Sequence, residues 1–237
     1  MSFRRVIIVL SNQNKETIPC TALMYGRAAD GTADVTGVLQ QLIDENGTEE
    51  TTLYFGEGTY LCSTLFLRSN LTLHLGAGAR LLARPAPTAT PRVRGSMENN
   101  KPVLLFAEGA QNLALRGSGT VDGNGDLNAH EPRLVLARLI DCTGLTVEEV
   151  TLYNAGMWCV HMVCCEDIHL TDMTLINNRH SNGDGFDFDS CRRIFIRGCV
   201  LRTNDDSICF KSTFPDRTGG DCTISDCVIT SDFPAPF

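Results

Sequence analysis

The sequence predicts an all-β fold, a parallel β-solenoid, on three observations. Residues 184–190 (DGFDFDS) align without gaps on 206–212 (DSICFKS), so that Phe186 and Phe188 fall on Ile208 and Phe210. Apolar residues at period two mark a strand with alternate side chains on one face, and an offset of 22 residues suits one solenoid coil but not a strand, crossover helix and second strand. Next, GLTVEEVTLYN, DIHLTDMTLIN, RIFIRGCVLRT and DCTISDCVITS each place alternating aliphatics before a polar break and another apolar pair. β-Branched residues dominate and period 3.6 is absent, so each reads as two short strands joined by a bend. Finally, Leu73, Leu115, Val147, Leu170, Ile196 and Ile224 mark one inward position, at intervals of 42, 32, 23, 26 and 28 residues. A constant cross-section with loops of variable length produces that pattern.

Along the chain, residues 1–20 are expected to be an N-terminal extension or first strand, and 21–237 the coils of a single domain. The apolar run at 6–10 is too short for a signal-peptide core, and no run reaches the roughly 18 residues of a membrane span. The chain as written is therefore expected to be cytoplasmic, or secreted if its true start lies upstream. TGVLQQLIDE, Thr36–Glu45, has Val38, Leu39, Leu42 and Ile43 at helical spacing, with Asp34 or Thr36 as N-cap. A helix there would cover the open apolar end of the first coils. The segment at 83–102, rich in proline and polar residues, is expected to form a long loop bordering a cleft. The last residues, SDFPAPF, stop one strand into a new coil. Missing C-terminal coils, with self-association through the uncapped edge, are expected.

Composition bounds the partners. The chain is 43% hydrophobic and 20% charged, with a net charge of -8, which argues against a nucleic-acid partner because phosphate recognition needs a basic surface. Arg179, Arg192, Arg193, Arg197, Arg202, Lys211 and Arg217 lie near one another in sequence, and read as solvated outer faces or as an anion-binding patch. Of the 11 cysteines, five keep a fixed phase: Cys142, Cys165 and Cys191 stand five residues before markers, and Cys199 and Cys227 three after. That is the signature of a stacked interior column of small apolar side chains, and no CxxC pair suggests metal.

Register carries the functional expectation. Asp184 should stack on Asp206 one rung away, about 4.8 Å apart, with Asp205 beside them. Three adjacent carboxylates repel one another and lift the pKa of one, here expected to be Asp205, which would stay protonated near neutral pH. Such a cluster suits acid and base catalysis; the other use of grouped oxygens is calcium binding. Trp158 falls one coil before Asp184 in the same column, as a sugar platform or a wall-packing ring. His161 alternates with Val160 and Met162 and is expected on the outside, within reach of a ligand. His180 lies in the loop before Asp184. Lys211 stands opposite Asp189, as an ion pair or a ligand contact. Asn182 and Asn204 would support the turns that aim the aspartates.

Between Tyr25 and Phe233 the chain resembles glycoside hydrolase family 28, the polygalacturonases and their relatives. YGRAADGTADVTGVLQQLID and LYFGEGTYLCSTLFLRSNLTLHLGAGARLLA resemble its N-terminal cap and first coils. GSGTVDGNG and PRLVLARLIDCTGLTVEEVTLYNAGMWCVH resemble its middle, and NGDGFDFDSC with NDDSICFKS its Asn-Thr-Asp and Gly-Asp-Asp signatures. The resemblance implies a right-handed parallel β-helix and inverting hydrolysis of O-glycosidic bonds in pectic galacturonan or rhamnogalacturonan, without a cofactor. It implies Asp205 as general acid, Asp184 and Asp206 as the groups that hold and deprotonate water, and Trp158, His161, His180, Asn182 and Lys211 as substrate contacts. The family's Gly-His-Gly is absent, with Phe233 in the histidine's place, and its Arg-Ile-Lys would lie past residue 237. An alternative expectation is therefore a catalytically inactive carbohydrate-binding β-helix, which would bind without turnover; a purely structural solenoid would leave the aspartates unexplained.

Overall fold

The computed structural model describes residues 29–45, 50–85, 101–130 and 132–232, together with the backbone of 5–9. The segment 86–100, the remainder of the N-terminal extension, Tyr25 and Phe233 lie outside the described residues.

The chain winds into a parallel β-helix of three walls. Two walls have eight strands each, running from Arg5–Val9 to Gly220–Ser225 and from Asp30–Asp34 to Val228–Ser231. The third has six strands, in the spatial order Leu65–Phe66, Val103–Glu108, Val135–Ile140, Val160–Val163, Phe186–Asp189 and Ile208–Lys211. The inward column expected from sequence is present rung by rung: Leu73 pairs with Leu115, then Val147, Leu170, Ile196 and Ile224.

Single left-handed residues make the corners. Glu149, Asp172, Gly198 and Asp226 have φ of 63°, 52°, 65° and 57°, and they are the polar breaks of the four repeats. Each turns the chain by one residue at a cost of about 1 kcal/mol where a Cβ is present. The next residue, Val150, Met173, Cys199 or Cys227, then points inward and stacks through the rung hydrogen bonds Thr174 N to Val150 O, Val200 N to Met173 O and Val228 N to Cys199 O. A second corner repeats the device: Gly109, Asp141, Cys164 and Ser190 have positive φ and precede Ala110, Cys142, Cys165 and Cys191. Those cysteines are buried free thiols in one column. Small side chains suit a sharp corner because a branched one would overfill it.

The expected helix spans Thr36–Glu45. Asp34 caps it by accepting from Thr36 N at 2.9 Å. Leu39, Leu42 and Ile43 enter the main core, while Gln40 bonds the edge strand of the third wall, donating to Phe66 O at 3.0 Å and accepting from Phe66 N at 2.8 Å. The helix thus covers apolar side chains and also satisfies peptide groups that an open sheet edge would leave unpaired. On the last described rung Phe210, Ile224, Val228 and Ile229 are exposed.

Candidate active site

The third wall carries the aspartates. Phe186 and Phe188 pair in register with Ile208 and Phe210 on one side and with Val160 and Met162 on the other, all pointing inward. Two residues upstream, the same register aligns Trp158, Asp184 and Asp206, as Cys159 N to Asp184 O at 3.0 Å and Gly185 N to Asp206 O at 2.9 Å confirm. Two glycines flank Asp184 because the rungs touch there. A Cβ on Gly183 would lie 2.3 Å from Asn177 O, and one on Gly185 2.3 Å from Ser207 O. Asp205 stands beside the column in a turn held by Asn204 N to Gly183 O at 3.1 Å and Thr203 Oγ1 to Asp205 O at 2.8 Å. Asn204 therefore supports the turn through its backbone.

A residue not singled out in the sequence holds the peptide of Asp184. Buried Asn177 donates from Nδ2 to Asp184 O at 2.9 Å and to Met157 O at 2.6 Å, tying two rungs together. The signal available was its place at the end of TLIN, opposite Thr203 of the next rung.

Burial divides the carboxylates. Asp184 is 5% exposed, Asp205 is half-buried and Asp206 is exposed. Burial lifts the Asp184 carboxyl to about 7, with further pushes from Asp187, Asp205 and Asp206 and an opposing pull from Lys211. The argument from sequence put the retained proton on Asp205; the carboxyl that burial lifts is Asp184, whose Oδ1 is enclosed without a hydrogen bond. A fourth carboxylate joins the trio. Asp187 is 0% exposed and is raised to about 6 by burial, against the favourable contact with Lys211.

Lys211 stands in register opposite Asp189 but bonds Asp187 instead. Asp189 is engaged elsewhere, accepting from Thr213 N at 2.9 Å and Ser190 Oγ at 3.1 Å. Burial disfavours the Lys211 charge, and the Asp187 carboxylate more than offsets it, so the ammonium's pKa is raised. It also lies 4.1 Å from the ring centroid of half-buried Trp158. His161 is not on the exposed outside: it points away from the solenoid core as its alternation requires, yet it is 1% exposed. It meets Trp158 edge to face at 5.2 Å and stands between Arg138 and Asp187 in the rung register. Trp158 in turn packs on a second apolar cluster of Val103, Phe106, Val135, Ile140, Met157 and Val163. His161 is thus enclosed.

The loop before Asp184 forms one border. His180 Nε2 lies 3.4 Å from Asp126 Oδ1, and Arg179 bonds both oxygens of the same carboxylate. Asn182 takes φ of 52° and accepts from Arg133 at 2.9 Å. Most of the clustered basic residues are paired on outer faces, Arg192 with Glu166, Arg193 with Glu166 and Asp167, Arg197 with Asp226, and Arg217 with Asp141. Among the described residues no three His, Cys, Asp or Glu side chains are arranged to hold a metal ion, and no helix is long and apolar enough to cross a membrane.

A parallel β-helix bearing a partly buried carboxylate cluster on one wall defines the class of this chain. Its residues 87–222 match the model of Glycosyl hydrolases family 28, and the chain belongs to that family. It is 28% identical over 212 residues to a "Probable polygalacturonase" of Vitis vinifera, covering 79% of this chain and 43% of the relative. It is 29% identical over 119 residues to "Exopolygalacturonase X-1" of Emericella nidulans, covering 45% of this chain and 27% of that one. The chain therefore spans less than half the length of these curated relatives. Two solved structures share the fold. The family 28 exopolygalacturonase of Yersinia enterocolitica superposes with a TM-score of 0.71 at 18% identity, over 87% of this chain and 47% of the other. The polygalacturonase of Erwinia carotovora gives 0.70 at 20% identity, over 84% and 60%.

Proposed function

We propose that this chain hydrolyses O-glycosidic bonds of a pectic polysaccharide, of galacturonan or rhamnogalacturonan type. The observation that carries the reading is the convergence of Asp184, Asp205 and Asp206 from two adjacent rungs, near enough for each neighbour to act on the charge of Asp184. Asp205 would give its proton to the departing glycosidic oxygen. Asp184 and Asp206 would hold a water and take its proton as the oxygen attacks the anomeric carbon from the opposite face, inverting the centre. Trp158 and Lys211 would floor the sugar site, with His180 and Asn182 at its border, and no cofactor would be needed.

Reducing-end assays on polygalacturonan and rhamnogalacturonan test the reading: the chain should release ends from one of them, and Asp205→Asn should not. Failure of the wild-type chain on both polymers and on other uronic-acid glycans would sink it. Self-association through the face bearing exposed Phe210, Ile224, Val228 and Ile229 belongs to the same proposal. A sedimentation profile that stays monomeric as concentration rises would remove that part.

A further inference from the structure

Asp205 and Asp206 are joined by a peptide whose two edges face different partners. Its oxygen, the carbonyl of Asp205, accepts from Thr203 Oγ1 at 2.8 Å and from Ser231 Oγ of the following rung at 3.0 Å, so both lone pairs are engaged. Its N–H, that of Asp206, donates to Oδ1 of the Asp205 carboxyl at 3.1 Å. A peptide is planar, and fixing one edge therefore aims the other. Holding the oxygen places the N–H, and the N–H places the carboxyl.

Thr203 is the buried end of this arrangement. It is 0% exposed, and its hydroxyl carries one hydrogen, which goes to the Asp205 oxygen; the contact with Ser207 Oγ at 2.7 Å is then a bond that Ser207 donates. The hydroxyl is fully engaged where an unbonded one would be costly. Its methyl faces the base: a Cβ on Gly185, the residue after Asp184, would lie 3.3 Å from Thr203 Cγ2. In the second wall Thr203 pairs with Asn177, whose Nδ2 holds the carbonyl of Asp184. Neighbouring members of one column thus grip the peptide oxygens of the two groups whose spacing governs an inverting reaction.

We propose that Thr203 is a positioning residue for the general acid: by holding the peptide between Asp205 and Asp206 it keeps the Asp206 N–H on Oδ1 of Asp205 and leaves Oδ2 as the oxygen that presents the proton. The inference rests on reading Asp205 as the acid. In a protonated carboxyl one oxygen only accepts and the other bears the hydrogen. An N–H on Oδ1 suits the first role and opposes the second, so the hydrogen belongs to Oδ2. In the reaction that proton passes from Oδ2 to the departing glycosidic oxygen, which takes the electron pair of the breaking C–O bond. Asp205 is left as a carboxylate and is protonated again from solvent. Without the Thr203 hydroxyl the peptide can turn, and the acid then meets the leaving oxygen out of line.

Two readouts decide it, and one needs no turnover. Crystals of the full chain carrying Thr203→Val should show the bond from Asp206 N to Asp205 Oδ1 broken, and crystals of Thr203→Ser should show it kept. On the polymer that is cleaved, Thr203→Val should lower kcat about tenfold while KM changes less than about twofold, and Thr203→Ser should recover most of the rate. On a nitrophenyl galacturonide, whose leaving group departs without a proton, the loss in Thr203→Val should shrink to under about twofold. A residue that only stabilised the fold would lower Tm in both variants and touch both substrates alike. Equal losses on the two substrates, or an unbroken bond in the Thr203→Val crystals, would overturn the inference; if the nitrophenyl substrate is not turned over, the crystals decide alone. If Thr203→Val does not fold, Ser231→Ala, at an exposed residue, removes the other donor and should give the same pattern at about threefold. A chain that cleaves nothing, yet loses the bond in Thr203→Val, refutes the hydrolase and leaves the hold of Thr203 on Asp205 standing.

Discussion

Arg138 donates from Nε to Nδ1 of His161 at 3.2 Å, and both side chains are buried in the outward column of the third wall. The imidazole is thereby held as an acceptor at Nδ1, which leaves its proton on Nε2. Burial and the charges of Arg138 and Lys211 push its pKa down to about 3. The folded chain binds this proton less readily than the unfolded chain, so the stability it contributes is intact above the ordinary value of 6.5 and is lost as pH falls toward about 3. The 15N resonances of His161 should show one neutral tautomer, unchanged from about pH 8 to about pH 4.5. A midpoint near 6.5 would contradict the enclosure.

Asp184 sets the pH dependence of the proposed reaction. If it must be ionised to take a proton from water, kcat/KM rises as pH passes through about 7, the value to which burial has lifted it. Asp205→Asn should cost about a hundredfold to ten-thousandfold in kcat, the usual worth of a general acid. A rate that falls instead of rising through that pH region would make Asp184 the acid and reverse the assignment.

The same carboxyl trades stability for chemistry. Its folded pKa is raised, so its contribution to stability is present below the ordinary 3.8 and is lost as pH rises through about 7. Asp184→Asn should therefore raise Tm at about pH 8, by the equivalent of on the order of 3 kcal/mol, and give little gain at about pH 4. Equal effects at both pH values in thermal melts would show that charge is not the cause.

The cysteine column should be chemically silent. Burial pushes the thiols of Cys165, Cys159 and Cys62 upward, and the free Cys142 thiol, hydrogen-bonded to Cys165 and buried, follows. Thiolate is the reactive form. Among the thiols of the described residues, exposed Cys222 should react first with a disulfide reagent in the native chain, and Cys142, Cys165 and Cys191 only after denaturation. Early mass-spectrometric labelling of the column would refute its burial.

The wall was legible because a solenoid repeats its hydrogen-bonding partner at each coil, so one ungapped alignment of apolar residues carries the polar ones with it. That is why Trp158, Asp184 and Asp206 could be put in one column and Cys142, Cys165 and Cys191 in another. What escaped depends on how side chains lean and what covers them. Lys211 was matched with Asp189 directly opposite, but a four-carbon stem reaches the diagonal neighbour equally well, and Asp189 was already held by Thr213 and Ser190. Asp187 passed as the polar half of a strand alternation, because its enclosure comes from Lys211 and Trp158 above it rather than from its own segment. His161 was placed on the outside correctly as to direction, while its enclosure involves Trp158 and the Arg138 of the neighbouring rung, which no local pattern reveals. Repulsion alone cannot rank three acids, and the depth of burial that lifts Asp184 is not legible in the sequence.

The shared column of Asp184 and Asp206 has a geometric consequence. In a wall of stacked rungs, distances between functional groups come in whole steps of about 4.8 Å along the axis and about 3.4 Å along a strand. Separation between an acid and a base is then a digital quantity: it can jump to the next rung or the next residue, but it cannot drift. Asp205, one residue off the column, is one such increment. A variant of this wall would change its chemistry by changing addresses on a grid, while the grid itself, held by peptide hydrogen bonds at every rung, stays where it is.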